Sequence, residues 1–265
     1  MSPAAAFLRK LRAFASTGVA LFSEYRAELF LWSLAGVIPL IMMGVWRQAS
    51  ATGAFPLDPT EFTRYFLAVF LVRQATIVWV IWDFEAHVVS GTLSPLLLQP
   101  SNPAFRFVVW HLTERLARAP FALAVLAIWL LLFPDAFFWP KLGDVCLAVL
   151  GIAASFATRF VIQYAFAMVG FWSERATSLE EVWFLVYVFL SGVIAPLDVY
   201  PDVVRTIAAF TPFPYFVYFP VQLLLGREEN VLRGFVVLAV WWGLGYALYR
   251  VLWRKGLRHY SAMGA

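Results

Sequence analysis

Arg73 and Arg159 fall inside apolar runs, over residues 62–82 and 145–172. A guanidinium at the centre of a bilayer costs at least ~2.5–3.5 kcal/mol, so each must face protein, water or a headgroup. Ser155, Arg159 and Gln163 recur every four residues and form a polar stripe on one helix face, and Gln74 and Thr76 follow Arg73. Such groups either line a translocation path or a subunit seam, or hydrogen-bond neighbouring helices and hold a bundle together. The spacing leaves both open. Arg64 lies nearer the end of its run and reads as a side chain that snorkels to the interface. Three arginines dispersed in this way do not argue for an anionic substrate.

Other chemistry is thin. Asp83 and Glu85 stand two residues apart, so on a helix they diverge and on a loop they are solvated; they do not make a general acid/base pair. Contact with a partner is their better use, and the same holds for Glu174, Glu180 and Glu181. His87, His111 and His259 lie on separate segments and read as packing or interfacial residues, not metal ligands. No P-loop, H-E-x-x-H or G-x-S-x-G pattern occurs. The single cysteine, Cys146, excludes an intrachain disulfide and a cysteine metal cluster, and reads as a small residue packed in a helix. These absences predict a chain that is not an enzyme and holds no cofactor or metal.

The elements that would position these residues follow from composition. Of 265 residues, 62% are hydrophobic and 14% charged, with 26 Phe and 12 Trp; the mean hydropathy is +0.77. Soluble domains are about 45–50% apolar and about 25% charged, so the chain is predicted to be an all-α integral membrane protein. Residues 4–26 alternate Phe7, Leu8, Leu11, Phe14 and Phe22 with Arg9, Lys10, Arg12 and Glu24. That pattern predicts an amphipathic helix in the headgroup plane, not a signal peptide. Six spans are predicted over 29–46, 62–82, 117–133 (with an earlier start near Phe107 as an option), 145–172, 182–195 and 231–253. Residues 1–265 read as one membrane domain.

Orientation comes from Lys and Arg. Arg9, Lys10, Arg12, Arg26, Arg106, Arg115, Arg118, Arg175, Arg254, Lys255 and Arg258 fall on one side, against Arg47, Lys141, Arg205 and Arg227 on the other. That asymmetry predicts two cytoplasmic termini in a plasma or inner membrane. The stretch 83–106, DFEAHVVSGTLSPLLLQPSNPAFR, would then be cytoplasmic and is read as receiving force from another subunit. Gly91, Pro100 and Pro103 punctuate it. The region 196–230 is broken by Pro212, Pro214 and Pro220 and filled with aromatics, which suits a re-entrant helical hairpin at the outer leaflet.

This layout resembles the membrane subunits of ABC-2 type transporters. Their loop after the second span carries an acidic residue, G-T-L, leucines and a proline. Glu85, Gly91, Thr92, Leu93, Leu96, Leu97 and Pro100 match it here, with a longer interval from Glu85 to Gly91 than in the commonest E-R-G-T-L form. Ser191-Gly192, Pro196, Pro201 and the Pro-aromatic run look like that family's fifth span and outer helices. The resemblance implies a permease subunit of an ATP-driven exporter, paired with a second copy or a different permease. A separate ATPase would hold ATP and Mg. It also implies that Leu93, Leu96 and Leu97 anchor the stretch in an ATPase cleft, with Asp83 and Glu85 beside them, and that Phe210, Phe213, Tyr215 and Phe216 gate or seal the exit. A hydrophobic or amphipathic substrate is expected, and no nucleic acid. The competing readings are a secondary transporter, a lipid-modifying membrane enzyme, and a scaffold subunit that transports nothing.

Overall fold

The computed structural model describes residues 37–260 apart from 52, 54, 56 and 174, with scattered residues before 37. The expected interfacial helix over 4–26 lies largely outside the described residues, as does the start of the first span. Helices are the regular elements of the described chain: α1 Ile38–Ser50, α2 Pro59–Thr76, α3 Val80–Val89, α4 Leu93–Leu97, α5 Pro103–Leu132, α6 Leu142–Ala167, α7 Thr177–Leu190, α8 Asp202–Ala209, α9 Phe213–Phe216, α10 Tyr218–Leu224 and α11 Val231–His259. Short 3-10 turns lie at Pro134–Ala136, Met168–Phe171 and Leu197–Val199.

Local sequence starts two of these helices earlier than the apolar runs alone suggest. Asp58 accepts from Glu61 N–H at 2.7 Å while the Glu61 carboxylate accepts from Asp58 N–H at 3.0 Å, a reciprocal cap with Pro59 just inside the helix. Asn102 caps α5 by accepting from Ala104 N–H at 2.9 Å, again with proline following. Among the described residues, four stretches are long and apolar enough to cross a membrane: Pro59–Val89, Pro103–Leu132, Leu142–Phe171 and Val231–His259. α7, with 14 residues, is shorter than these. The first of the four is the central one. Its apolar window is 72% buried, against 17% for α5 and for α11, and a helix apolar on all sides belongs inside a bundle.

That central stretch is where the structure departs most from expectation. It is not one helix ending at residue 82. α2 stops at Thr76, Ile77 is extended (φ −65°, ψ 142°), and α3 then runs on to Val89. Asp83 and Glu85 are therefore helical residues, not loop residues. Likewise α5 starts at Pro103, so Arg115 and Arg118 lie well inside a membrane-capable helix, away from its ends, and leave the count of flanking charges.

The apolar core divides at the same level. One cluster holds Met43, Phe62, Phe66, Val72, Phe216 and their neighbours; the other holds Val78, Phe84, Leu93, Phe107, Phe160 and theirs. Arg73, Thr76 and the break in the helix fall between the two.

Candidate functional site

The break exposes backbone groups that a bilayer would not solvate, and α5 supplies their partners. The freed Trp79 N–H donates to His111 Nε2 at 2.9 Å. Because Nε2 accepts, the imidazole hydrogen sits on Nδ1, which donates to the Phe107 carbonyl at 2.8 Å. The freed Ile77 carbonyl accepts from Arg115 Nη2. Irregular backbone at membrane depth is tolerated when it is satisfied in this way. His111 is 1% exposed, so it is neither a ligand nor an interfacial residue but the acceptor that permits the break. No spacing rule in the sequence pairs residue 111 with residue 79; the low α-helical continuity at Ile77 is visible only in the fold.

Around the break lie the arginines. Arg73 is within electrostatic reach of Tyr187, Arg159 and Arg118. Arg115 is in reach of Glu114, Arg118 and Arg159, and its guanidinium stacks over Phe156 at 3.8 Å. Arg118 pairs with Glu114. Arg159, 1% exposed, lies 4.2 Å over the Tyr187 ring, with Nε and Nη1 lacking an acceptor. The reading of dispersed arginines is thus corrected: helices that are remote in sequence bring four of them together.

The polar stripe on α6 is divided in its use. Ser155 Oγ donates to the Tyr215 carbonyl at 2.6 Å and ties α6 to α9. Gln163 Nε2 donates to both Glu180 oxygens at 2.7 Å. Glu180 is 2% exposed and within reach of Arg159, so it faces the bundle interior and not a partner. Arg64 does not snorkel: Nε and Nη2 donate to the Ala136 and Asp135 carbonyls at 3.2 and 3.1 Å, fixing α2 to the turn after α5.

The stretch 83–106 folds as α3, a tight turn, α4 and a second turn into α5. Gly91 adopts φ +71°, a left-handed turn that an L side chain resists. His87 Nδ1 and Ser90 Oγ both meet Thr92 Oγ1, at 2.7 and 2.8 Å, and lock that turn. Leu93 (0% exposed) and Leu96 (6%) pack into the bundle's own core beside Phe84 and Phe107. The expectation that they reach outward to a partner is corrected by that packing. Leu97 is half-buried, and the outward face is Thr92, Pro95, Leu98 (88% exposed), Gln99 and Pro100.

Glu85 also turns inward. Its carboxylate accepts from Thr177 N–H at 2.7 Å and from Thr177 Oγ1 at 3.2 Å. α7 starts after Ala176, which has no side-chain cap, so Glu85 caps it from α3 and couples the two helices. Asp83, on another side of α3, is within reach of Glu114. Glu85→Ala is expected to cost ~1 kcal/mol, the usual loss of a cap. Hydrogen exchange at the first amides of α7 should accelerate accordingly; unchanged exchange there would refute the cap.

At the opposite end of the bundle, the turn after α7 is tied by side chains of α1 and α2 and by the main chain of α10. Tyr65 Oη donates to the Gly192 carbonyl at 2.7 Å, Trp46 Nε1 to the Ile194 carbonyl at 2.8 Å, and Tyr218 N–H to the Ser191 carbonyl at 3.0 Å. Gly192 has φ +90°, and a Cβ there would meet Tyr65 Oη at 2.5 Å, so only glycine fits. Phe213, Tyr215 and Phe216 are buried, whereas Phe210 is 75% exposed. Beside Tyr218 a polar cavity of about 780 Å³ is lined by Glu61, Asp198, Arg205, Arg227 and Glu228. Burial pushes the Glu228 carboxyl up from its ordinary range. Cys146 is exposed on α6, not packed as expected.

The bundle thus carries a break secured by α5 in its central helix, and the structured turn of residues 90–92 lies beyond α3, at the end of the bundle away from Tyr65 and Gly192. Neither the curated proteins nor the solved structures compared with the chain gave a match. The model of one family, described as ABC-2 family transporter protein, matches residues 60–264, from the second residue of α2 to beyond the end of α11. That match takes in every element built around the break, and the chain belongs to the ABC-2 family of transporter membrane proteins.

Proposed function

We propose that this chain is the permease subunit of an ATP-driven exporter, powered by a separate ATPase and paired with a second permease subunit. ATP and Mg would bind on the ATPase. The observation that carries this reading is mechanical. The turn at residues 90–92 is fixed by side-chain hydrogen bonds to the end of α3, and α3 is separated from α2 by the break at Ile77. A push on the outward face at Thr92, Pro95 and Leu98 would swing α3 as a lever about that break, and Glu85 would carry the motion to α7. Hinged motion of packed helices is an established route for such a displacement.

In this reading α1, α2–α3, α5, α6, α7 and α11 are the six spans, and α8 to α10 with their flanking turns form the outer re-entrant region. Both termini are cytoplasmic, and the membrane is the plasma or inner membrane. Without Arg115 and Arg118, the charges flanking the helices remain asymmetric, with Arg9, Lys10, Arg12, Arg26, Arg106, Arg175, Arg254, Lys255 and Arg258 on the cytoplasmic side against Arg47, Lys141, Arg205 and Arg227 outside. The buried Phe213, Tyr215 and Phe216 would seal the exit, and Phe210 would face it. A hydrophobic or amphipathic substrate fits the aromatic walls.

Two measurements test this. Leu98→Asp places a charge on the docking face without disturbing the core, and is expected to reduce co-purifying ATP hydrolysis about tenfold or more, as for a lost interface anchor. Full retention of that hydrolysis would reject Leu98 as a contact. In a Cys146→Ser background, Thr92→Cys should resist a membrane-impermeant thiol reagent added outside cells; labelling there would overturn the orientation and the docking site together.

A further inference from the structure

The arginine cluster has an opening that the transport reading does not use. A groove of about 780 Å³ lies between α2, α5 and α6, with Leu116, Leu123, Val149 and Ile152 along it and Arg115 and Arg118 in its wall. Leu116, Leu123 and Val149 are 73%, 57% and 58% exposed, so the groove opens on the apolar flank of the bundle. Arg118 is 4% exposed and pairs with Glu114 through Nη2 only; its Nε has no acceptor, nor do Nε and Nη1 of Arg115.

The depth is consistent across helices. At 1.5 Å per residue, Arg73 lies ~21 Å from Pro59, Arg118 ~21 Å from Leu132 and Arg159 ~26 Å from Leu142, and these three helix ends share one end of the bundle. Across a hydrocarbon core of about 30 Å this level lies past the midplane, in the far leaflet's half of the core. The charge there is unbalanced. Arg73, Arg115, Arg118 and Arg159 interact with one another against Asp83, Glu114 and Glu180.

We infer that this groove binds an acidic lipid of the surrounding bilayer, with its headgroup oxyanion on Arg115 and Arg118 and one acyl chain along Leu116 and Val149. A guanidinium offers a planar fork of N–H donors that suits a phosphate. The apolar walls favour a chain-bearing anion over a free one, which would lose its hydration in the groove with little returned. The lipid supplies acceptors for donors that the protein leaves open.

The test uses the full chain in nanodiscs of phosphatidylcholine with trace photoreactive phosphatidate or photoreactive phosphatidylcholine, each carrying a diazirine on the acyl chain. Phosphatidate should label the region of Leu116 and Val149 about tenfold more than phosphatidylcholine, as expected for charge-assisted hydrogen bonds. Arg115→Gln removes the charge but keeps a donor for the Ile77 carbonyl, and should abolish that preference. Ala119→Phe fills the groove without a change of charge and should reduce labelling by both lipids. Equal labelling by the two lipids, or a preference unchanged in Arg115→Gln, overturns the assignment. Displacement by inorganic phosphate would instead mark a free-anion site. A disulfide between copies through Leu116→Cys in the Cys146→Ser background would mark a subunit seam. Either result also overturns it. No ATPase is needed for labelling, so the outcome is independent of the exporter reading.

Discussion

Glu180→Leu is expected to destabilise the purified protein by ~3–5 kcal/mol, the cost of leaving a buried charge uncompensated. The carboxylate accepts both short hydrogen bonds from Gln163 and is within reach of Arg159, whose Nε and Nη1 already lack acceptors. Removing it would leave Arg159 buried at 1% exposure beside Arg73 and Arg115 with an interior countercharge gone. The double variant Glu180→Leu, Arg159→Leu should recover a large part of the loss, because the uncompensated charge is then absent as well. Reversible unfolding of the protein in detergent reads both. A single variant within ~0.5 kcal/mol of the parent, the range of ordinary surface substitutions, would show that Glu180 balances nothing. Recovery in the double variant separates charge balance from simple loss of packing, since packing losses would add.

The second large effect is at the break. His111→Phe keeps a ring of similar shape but removes the acceptor for Trp79 N–H and the donor to the Phe107 carbonyl. The expected cost is ~1–3 kcal/mol, the penalty for unsatisfied buried polar groups. His111→Gln, which can still accept through its amide oxygen, should restore part of it. The distinguishing readout is local: exchange of the Trp79 amide should accelerate in His111→Phe beyond the change seen at α5. If exchange at Trp79 is unaffected, the imidazole does not secure the break. In the exporter reading, a break without its latch would also pass less displacement from α3 to α2, so substrate efflux should fall more than the loss of folded protein explains.

Much of the architecture was legible from sequence because a bilayer imposes simple rules. Apolar runs of sufficient length had to become helices. The turn at Gly91 and the prolines of 212–220 likewise had to interrupt. The site was less legible. Arg115 and Arg118 resemble flanking charges when read along the chain, and only the start of α5 at Pro103 places them inside it. Leu93 and Leu96 have the composition of an outward anchor, yet a five-residue helix can turn either face to the bundle, and burial chose the inward one. Glu85 and Glu180 look like surface acids because their partners, Thr177 and Gln163, stand on other helices.

By itself, then, the sequence determined that this chain is a helical membrane protein, roughly where its helices run, and that the loop after the second long apolar run carries the ABC-2 pattern. Hydropathy and turn chemistry are local, so they are readable without the fold. The tertiary structure alone decided that the central helix breaks at Ile77, that His111 and Arg115 hold the break, and that four arginines meet beside it. Those outcomes depend on which donors and acceptors α2, α3, α5 and α6 present to one another across the bundle, and no periodicity along a single helix encodes that pairing.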